Sequence, residues 1–119
     1  MPPANQSAQS RKGEEKKSSG LHIAMIASEV APFAKSGGLA DMVSGLSLAL
    51  EQLGLTVSVI LPAYRSFLRS DFPREESKRA FTVPVSNRTE PATVFKTKFG
   101  KGISVYLIRA DKYFDRDYL

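Results

Sequence analysis

Leu21-His22-Ile23-Ala24-Met25-Ile26-Ala27 is a short apolar run that gives way to a polar loop containing Pro32. The run predicts a buried strand, and a residue with fixed φ and no amide hydrogen keeps strand or helix from continuing through the loop. From Leu39 the period changes. Leu39, Met42, Val43, Leu46, Leu50 and Leu53 follow the i, i+3, i+4, i+7 spacing of one helical face, which predicts an amphipathic helix with that face in the core and Gly54 as its stop. Val57 to Leu61 is rich in β-branched residues and ends at Pro62, so a second strand follows. Strand, turn, helix and strand together predict one right-handed crossover between parallel strands.

The remaining pattern is less regular. Ser66 to Lys78 is charged and weakly periodic, predicting a surface loop with a helical turn and no chemistry. Phe81–Val85 and Thr93–Phe99 read as strands, and Gly100-Lys101-Gly102 as a turn into Ile103–Ile108. That last run is apolar on both faces, which predicts a central strand. Asp111 to Leu119 is polar and aromatic. The expected fold class is α/β: a Rossmann-like open, mainly parallel twisted sheet with flanking helices.

Composition narrows the function classes. The 119 residues leave room for one domain, and residues 1–20 form a polar run expected to be a flexible tail, so the domain is expected to span residues 21–119. The tail has no apolar segment for a secretory signal, its Glu14-Glu15 pair fits an organelle transit peptide poorly, and no stretch reaches transmembrane length. A cytoplasmic location with no membrane partner is the expectation. The net charge of +5 is spread along the chain without an aromatic-interleaved basic block, so nucleic acid is not an expected partner. Such a balance fits a solvated surface or a phosphorylated small molecule equally well. Without cysteine there is no disulfide, thiolate metal site or cysteine nucleophile. His22, the single histidine, stands at the start of a strand, where a structural or surface role is expected. Neither a Ser-His-Asp arrangement nor a paired metal ligand is available, so neither hydrolytic machinery, a metal site nor a cofactor is expected.

The candidate chemistry lies at Lys35-Ser36-Gly37-Gly38-Leu39-Ala40-Asp41, where the first strand hands over to the helix. A cation stands beside two residues without a Cβ, at the point where the first helical amides lack intrahelical partners and the helix dipole is positive. That combination suits an anion, above all the diphosphate of a nucleotide. The alternative is a glycine turn that merely tightens the connection. In a Walker A loop the lysine follows the glycines, and a dinucleotide fingerprint spaces three of them, so ATPase and dehydrogenase readings lose their main support. Open parallel sheets bind ligands beyond the carboxyl ends of their strands, the edge to which Glu29, Lys35, Gly37 and Gly38 are assigned.

Ser28-Glu29-Val30-Ala31-Pro32-Phe33-Ala34-Lys35-Ser36-Gly37-Gly38-Leu39-Ala40-Asp41 closely resembles the amino-terminal signature of bacterial glycogen synthases and plant starch synthases. Leu50-Glu51-Gln52-Leu53-Gly54, Val59-Ile60-Leu61-Pro62-Ala63-Tyr64, and Val105-Tyr106-Leu107-Ile108 followed by Tyr113-Phe114-Asp115-Arg116 are similar to that family in the same order. The resemblance implies a retaining glycosyltransferase of two Rossmann-like domains that moves glucose from ADP-glucose to the non-reducing end of an α-1,4-glucan. It also implies that Lys35 binds the donor, with Gly37 and Gly38 as the backbone approach to its phosphates. Ser36 stands where many relatives carry Thr. Glu29 is expected either to orient the sugar or acceptor or to bond local backbone, and Asp41 to serve as a first-turn carboxylate more than a ligand contact. Such synthases run well past the Tyr-Phe-Asp-Arg segment. The chain is therefore expected to be an amino-terminal part of one, carrying one wall of the active site and inactive alone. A stand-alone nucleotide-diphosphate module and a structural remnant are the alternatives.

Overall fold

The computed structural model describes residues 20–77 and 79–116. The expected tail falls almost wholly on residues 1–19, outside the described residues. Strand β1 (His22–Ile26) leads through a loop into helix α1 (Gly38–Gln52), which returns to β2 (Thr56–Pro62). A short helix α2 (Arg65–Leu68) and a two-residue strand β3 (Glu75–Glu76) follow. The chain then forms β4 (Phe81–Val85), β5 (Arg88–Phe99), β6 (Ile103–Arg109) and the short helix α3 (Asp111–Phe114).

The strand order is β1-β2-β6-β5-β3, with β4 paired to the start of β5. β1, β2 and β6 run parallel, in registers that set Ile26 beside Ile60 and Ile60 beside Tyr106. β5 is antiparallel to β6, to β3 and to β4, so the sheet is mixed. Local geometry explains the change of direction. A turn of the length of Gly100-Lys101-Gly102 can reverse a chain, whereas a parallel return needs a crossover of a dozen or more residues. Gly100 sits at φ +63° in that turn, and a Cβ there would lie 2.8 Å from both the Glu51 carboxylate and the Leu48 side chain. As expected, β6 is central, lying between β2 and β5.

The core occupies one face of the sheet. Val57, Val59 and Leu61 alternate inward from β2, and Ile103, Val105 and Leu107 from β6. Val30, Phe33, Val43, Tyr64, Phe67 and Phe95 close over them.

Two expectations need correction. The expected face of α1 enters the core along one side only: Val43 is buried and Leu50 packs against the core, whereas Leu39, Met42, Leu46 and the C-cap residue Leu53 are 44%, 54%, 43% and 72% exposed. Ala40 and Ser47, roughly 100° round the helix from those exposed residues, are buried beside Val43. Small side chains let α1 approach the sheet closely, and the Ser47 hydroxyl satisfies itself by donating to the Val43 carbonyl at 2.7 Å. An apolarity pattern misses both reasons. The segment from Ser66 to Lys78 is also more than a surface loop, because Phe67 is only 1% exposed and packs against Phe33, Phe72 and Phe95.

Candidate functional site

The carboxyl ends of β1, β2 and β6 share one edge, and the loop of residues 27–37 lies along it. This loop is packed, not loose. The amides of Phe33 and Ala34 both donate to the Val30 carbonyl at 2.9 Å, around a cis Ala31-Pro32 peptide, and Ala31 donates to the Ala40 carbonyl at 3.2 Å. Val30, Phe33 and Ala34 are buried, which anchors the segment that presents Lys35. Just past β2, the buried Tyr64, N-cap residue of α2, donates its hydroxyl to the Ser28 carbonyl at 2.8 Å and so fixes the loop's first turn. Burial pushes the Tyr64 phenol up, against the nearby Arg116 charge.

Glu29 is the organising group. It is 7% exposed, and its carboxylate accepts the Ser36 hydroxyl at 2.6 Å, the Ser36 amide at 3.1 Å and the Gly37 amide at 3.2 Å. These bonds, the Ser36 hydroxyl foremost, hold its carboxyl below the ordinary 4.5, with burial opposing and the Ala40 amide adding least. The N-cap residue of α1, Gly37, has no capping side chain, so Glu29 does that work from the preceding loop. Of the two expectations for Glu29, the local backbone bonding is the one observed.

Lys35 and Asp41 meet. The ammonium donates to Asp41 Oδ1 at 2.9 Å and lies 2.8 Å from Oδ2, with both side chains more than half exposed. An exposed pair of this kind contributes roughly 0–1 kcal/mol, so a stronger anion can exchange for the carboxylate. Gly37 and Gly38 follow at the start of α1, and neither is required by the chain's own folding. Gly37 is extended at φ −171°, and a Cβ at either position would meet nothing within 4 Å.

Glu29, Lys35, Gly37 and Gly38 thus gather at one strand edge, as the topology predicts, and Asp41 joins them through Lys35. They lie on an open surface. A cavity of about 610 Å³ opens between the Pro32–Phe33 turn and β5, lined by Phe72, Arg74, Lys96 and Phe99 among others, and none of the five lines it. Among the described residues no group of three His, Cys, Asp or Glu side chains could hold a metal ion, and no helix is long and apolar enough to cross a membrane. His22, on β1, is hydrogen-bonded to Ser58 Oγ at 2.7 Å, away from this loop. The pattern gave no place to the Ser36 hydroxyl or to Tyr64. A hydroxyl one residue before a capless glycine was the available signal for the first, and the second depends on a contact across 36 residues of sequence.

Residues 22–119 match the family described as starch synthase catalytic domain. Glycogen synthase 2 of Geobacter sulfurreducens is 34% identical over 99 residues, which cover 83% of this chain and 20% of that protein. The glycogen synthase of Exiguobacterium sibiricum is 42% identical over 97 residues, covering 82% of this chain and 20% of its own length. A solved structure, described as the catalytic domain of Starch Synthase IV from Arabidopsis thaliana bound to ADP and acarbose, superimposes with a TM-score of 0.73 at 29% identity, covering 82% of this chain and 20% of that one. The chain spans about one fifth of the length of the curated relatives it matches. The match in family, order of elements and sheet leads to one conclusion: this chain belongs to the starch and glycogen synthase family of glycosyltransferases, and its fold is the amino-terminal portion of their catalytic domain.

Proposed function

We propose that this chain supplies the donor-side wall of an ADP-glucose-dependent glucosyltransferase that extends an α-1,4-glucan in the cytoplasm. The observation that carries the reading is the pair Gly37 and Gly38, which the chain's own packing leaves open beside Lys35. Within a helix glycine costs up to about 0.5–1 kcal/mol relative to alanine, and Gly38 is the first helical residue of α1 with open space where a Cβ would stand, so a glycine there favours a use outside the fold. Close approach of a phosphate is such a use. The ADP in the Arabidopsis relative's structure supports it.

In this reading Lys35 exchanges Asp41 for the donor's diphosphate. As the sugar leaves, negative charge grows on that group, and a fixed cation stabilises the transition state more than the ground state. Residues 22–119, joined to the remaining four fifths of the Geobacter sulfurreducens relative, provide the test. Lys35→Ala removes a charge-assisted contact of about 1.5–3 kcal/mol, so kcat/KM for ADP-glucose is expected to fall roughly 10- to 150-fold. Lys35→Arg is expected to recover only part, since a planar fork does not reproduce a compact ammonium. A kcat/KM for Lys35→Ala within twofold of the parent would make the lysine a surface cation and end the proposal.

A further inference from the structure

The geometry points to Glu29 as a positioning residue: an internal anion seated on the Ser36 and Gly37 amides and locked by the Ser36 hydroxyl, which leaves an incoming phosphate the Lys35 ammonium and the Gly38 and Leu39 amides at the helix start. The inference rests on the donor reading above only for the identity of the phosphate.

Successive amides at a helix start form a concavity that suits an anion. Here that concavity is filled from within. The Gly37 amide, a natural phosphate donor by its position in the sequence, is spent on Glu29 Oε1 together with the Ser36 amide. The second oxygen, Oε2, takes the Ser36 hydroxyl at 2.6 Å, so both carboxylate oxygens are held from one side and the group is 7% exposed. A buried carboxylate bonded in this way does not leave for a ligand, because its own desolvation is compensated by those donors, with the Ala40 amide adding least. Asp41 differs: it is more than half exposed, and its carboxylate pairs with the Lys35 ammonium. The two acids near the glycines therefore have separate tasks. Asp41 is the exchangeable partner of Lys35, and Glu29 is the permanent one that sets the direction in which Gly38 and Lys35 face. Position 36 needs a hydroxyl, not a particular bulk, so Thr serves as well as Ser.

The first arm of the test uses the 119-residue chain. In amide-resolved NMR, Ser36 and Gly37 are expected to exchange slowly and to shift together with acid, at a midpoint below that of an ordinary glutamate. Of the charged and titratable groups that face this loop, Lys35, Asp41 and Tyr64, only Asp41 is another carboxylate, and it is separated from Glu29 by comparing Asp41→Asn, in which the shift is expected to persist. Glu29→Gln is expected to abolish the titration. Ser36→Ala is expected to speed exchange at both amides at least tenfold, and Ser36→Thr to restore it. Exchange at open-loop rates in the parent chain, or a shift that survives Glu29→Gln, would overturn the inference. The second arm uses the joined synthase. Glu29→Gln is expected to raise KM for ADP-glucose about tenfold or more while kcat stays within about threefold. A large loss of kcat at unchanged KM would place Glu29 among the reacting atoms and also overturn it. If Lys35→Ala is damaging and Glu29→Gln silent, this inference alone fails. If both are silent, the donor reading fails, while the NMR arm still judges the seating of Glu29.

Discussion

Gly38 separates folding from function at a single position. A Cβ there meets nothing within 4 Å, so Gly38→Ala is expected to leave the isolated chain as stable as before or to raise its stability by up to about 1 kcal/mol, measured by chemical denaturation. The same substitution in the joined synthase is expected to weaken ADP-glucose use, since the added methyl stands where the donor's phosphate comes closest in the proposed site. Loss of stability would show that the glycine serves the fold. Gly100 is the opposite case. Its φ of +63° and the 2.8 Å approach of Glu51 and Leu48 make Gly100→Ala costly to the fold, by about 1–2 kcal/mol from the left-handed backbone alone.

At the scale of elements, α1 has two apolar sides and uses only one of them in the described structure. Val43, 3% exposed, faces the sheet, so Val43→Ala is expected to cost about 1.5–3 kcal/mol. Leu46, 43% exposed, lies on the other side, and Leu46→Glu is expected to change stability by no more than about 0.5 kcal/mol. Thermal or urea unfolding of the two variants distinguishes the observed packing from the one the apolar spacing suggests; equal costs would contradict the structure. The exposed side, with Leu39, Met42 and Leu53 in line with Leu46, is also the part of the helix most prone to association, and Leu46→Glu is expected to reduce it in light scattering. The β5–β6 hairpin and α1 are tied at the far end by Glu51, which accepts the Lys101 amide at 3.2 Å.

For the whole molecule, the aromatic cluster around Phe67 holds the sheet, the Pro32–Phe33 turn and α2 together. Phe67 lies 5.8 Å from Phe95 and 6.1 Å from Phe72 by ring centroid, with the Arg74 guanidinium 4.3 Å above it. Phe67→Ala is expected to cost about 3–5 kcal/mol, a large share of the total of about 5–15 kcal/mol that holds a domain folded. Acid should unfold the chain through two glutamates. Glu29 is lowered chiefly by the Ser36 hydroxyl, and Glu90 chiefly by Lys112, which donates to it at 2.8 Å. A carboxyl with a depressed folded pKa contributes stability that is present above its unfolded value and is lost as pH falls through the folded one. The melting temperature is therefore expected to fall below about pH 4.5, the ordinary glutamate value, and more gently in Glu90→Gln. Glucosyl transfer by the 119 residues alone is not expected, because a single wall forgoes the roughly 7–11 kcal/mol that orientation of donor and acceptor can supply. Incorporation of labelled glucose into glycogen above background would refute that.

The order and type of the main elements were legible in the sequence because they depend on local period: the run around His22–Ile26 and Val57 to Leu61 lie in strands, Leu39 to Gln52 in a helix, and Gly100 to Gly102 at a turn. The gathering of Glu29, Lys35, Gly37 and Gly38 at one edge was legible as well, since a strand–turn–helix unit carries its turn to the strand's carboxyl end whatever packs around it. Tertiary structure decided the rest. Which side of α1 is buried depends on how closely small residues at 40 and 47 let it approach the sheet, and hydrophobicity does not encode closeness. Phe67 became a core residue because Phe33, Phe72 and Phe95 converge on it from distant segments. The partners of Glu29 and Lys35 were settled the same way. A charge in a sequence has no direction, and only the folded loop determined that one carboxylate would be enclosed by amides and the other left in water beside the lysine.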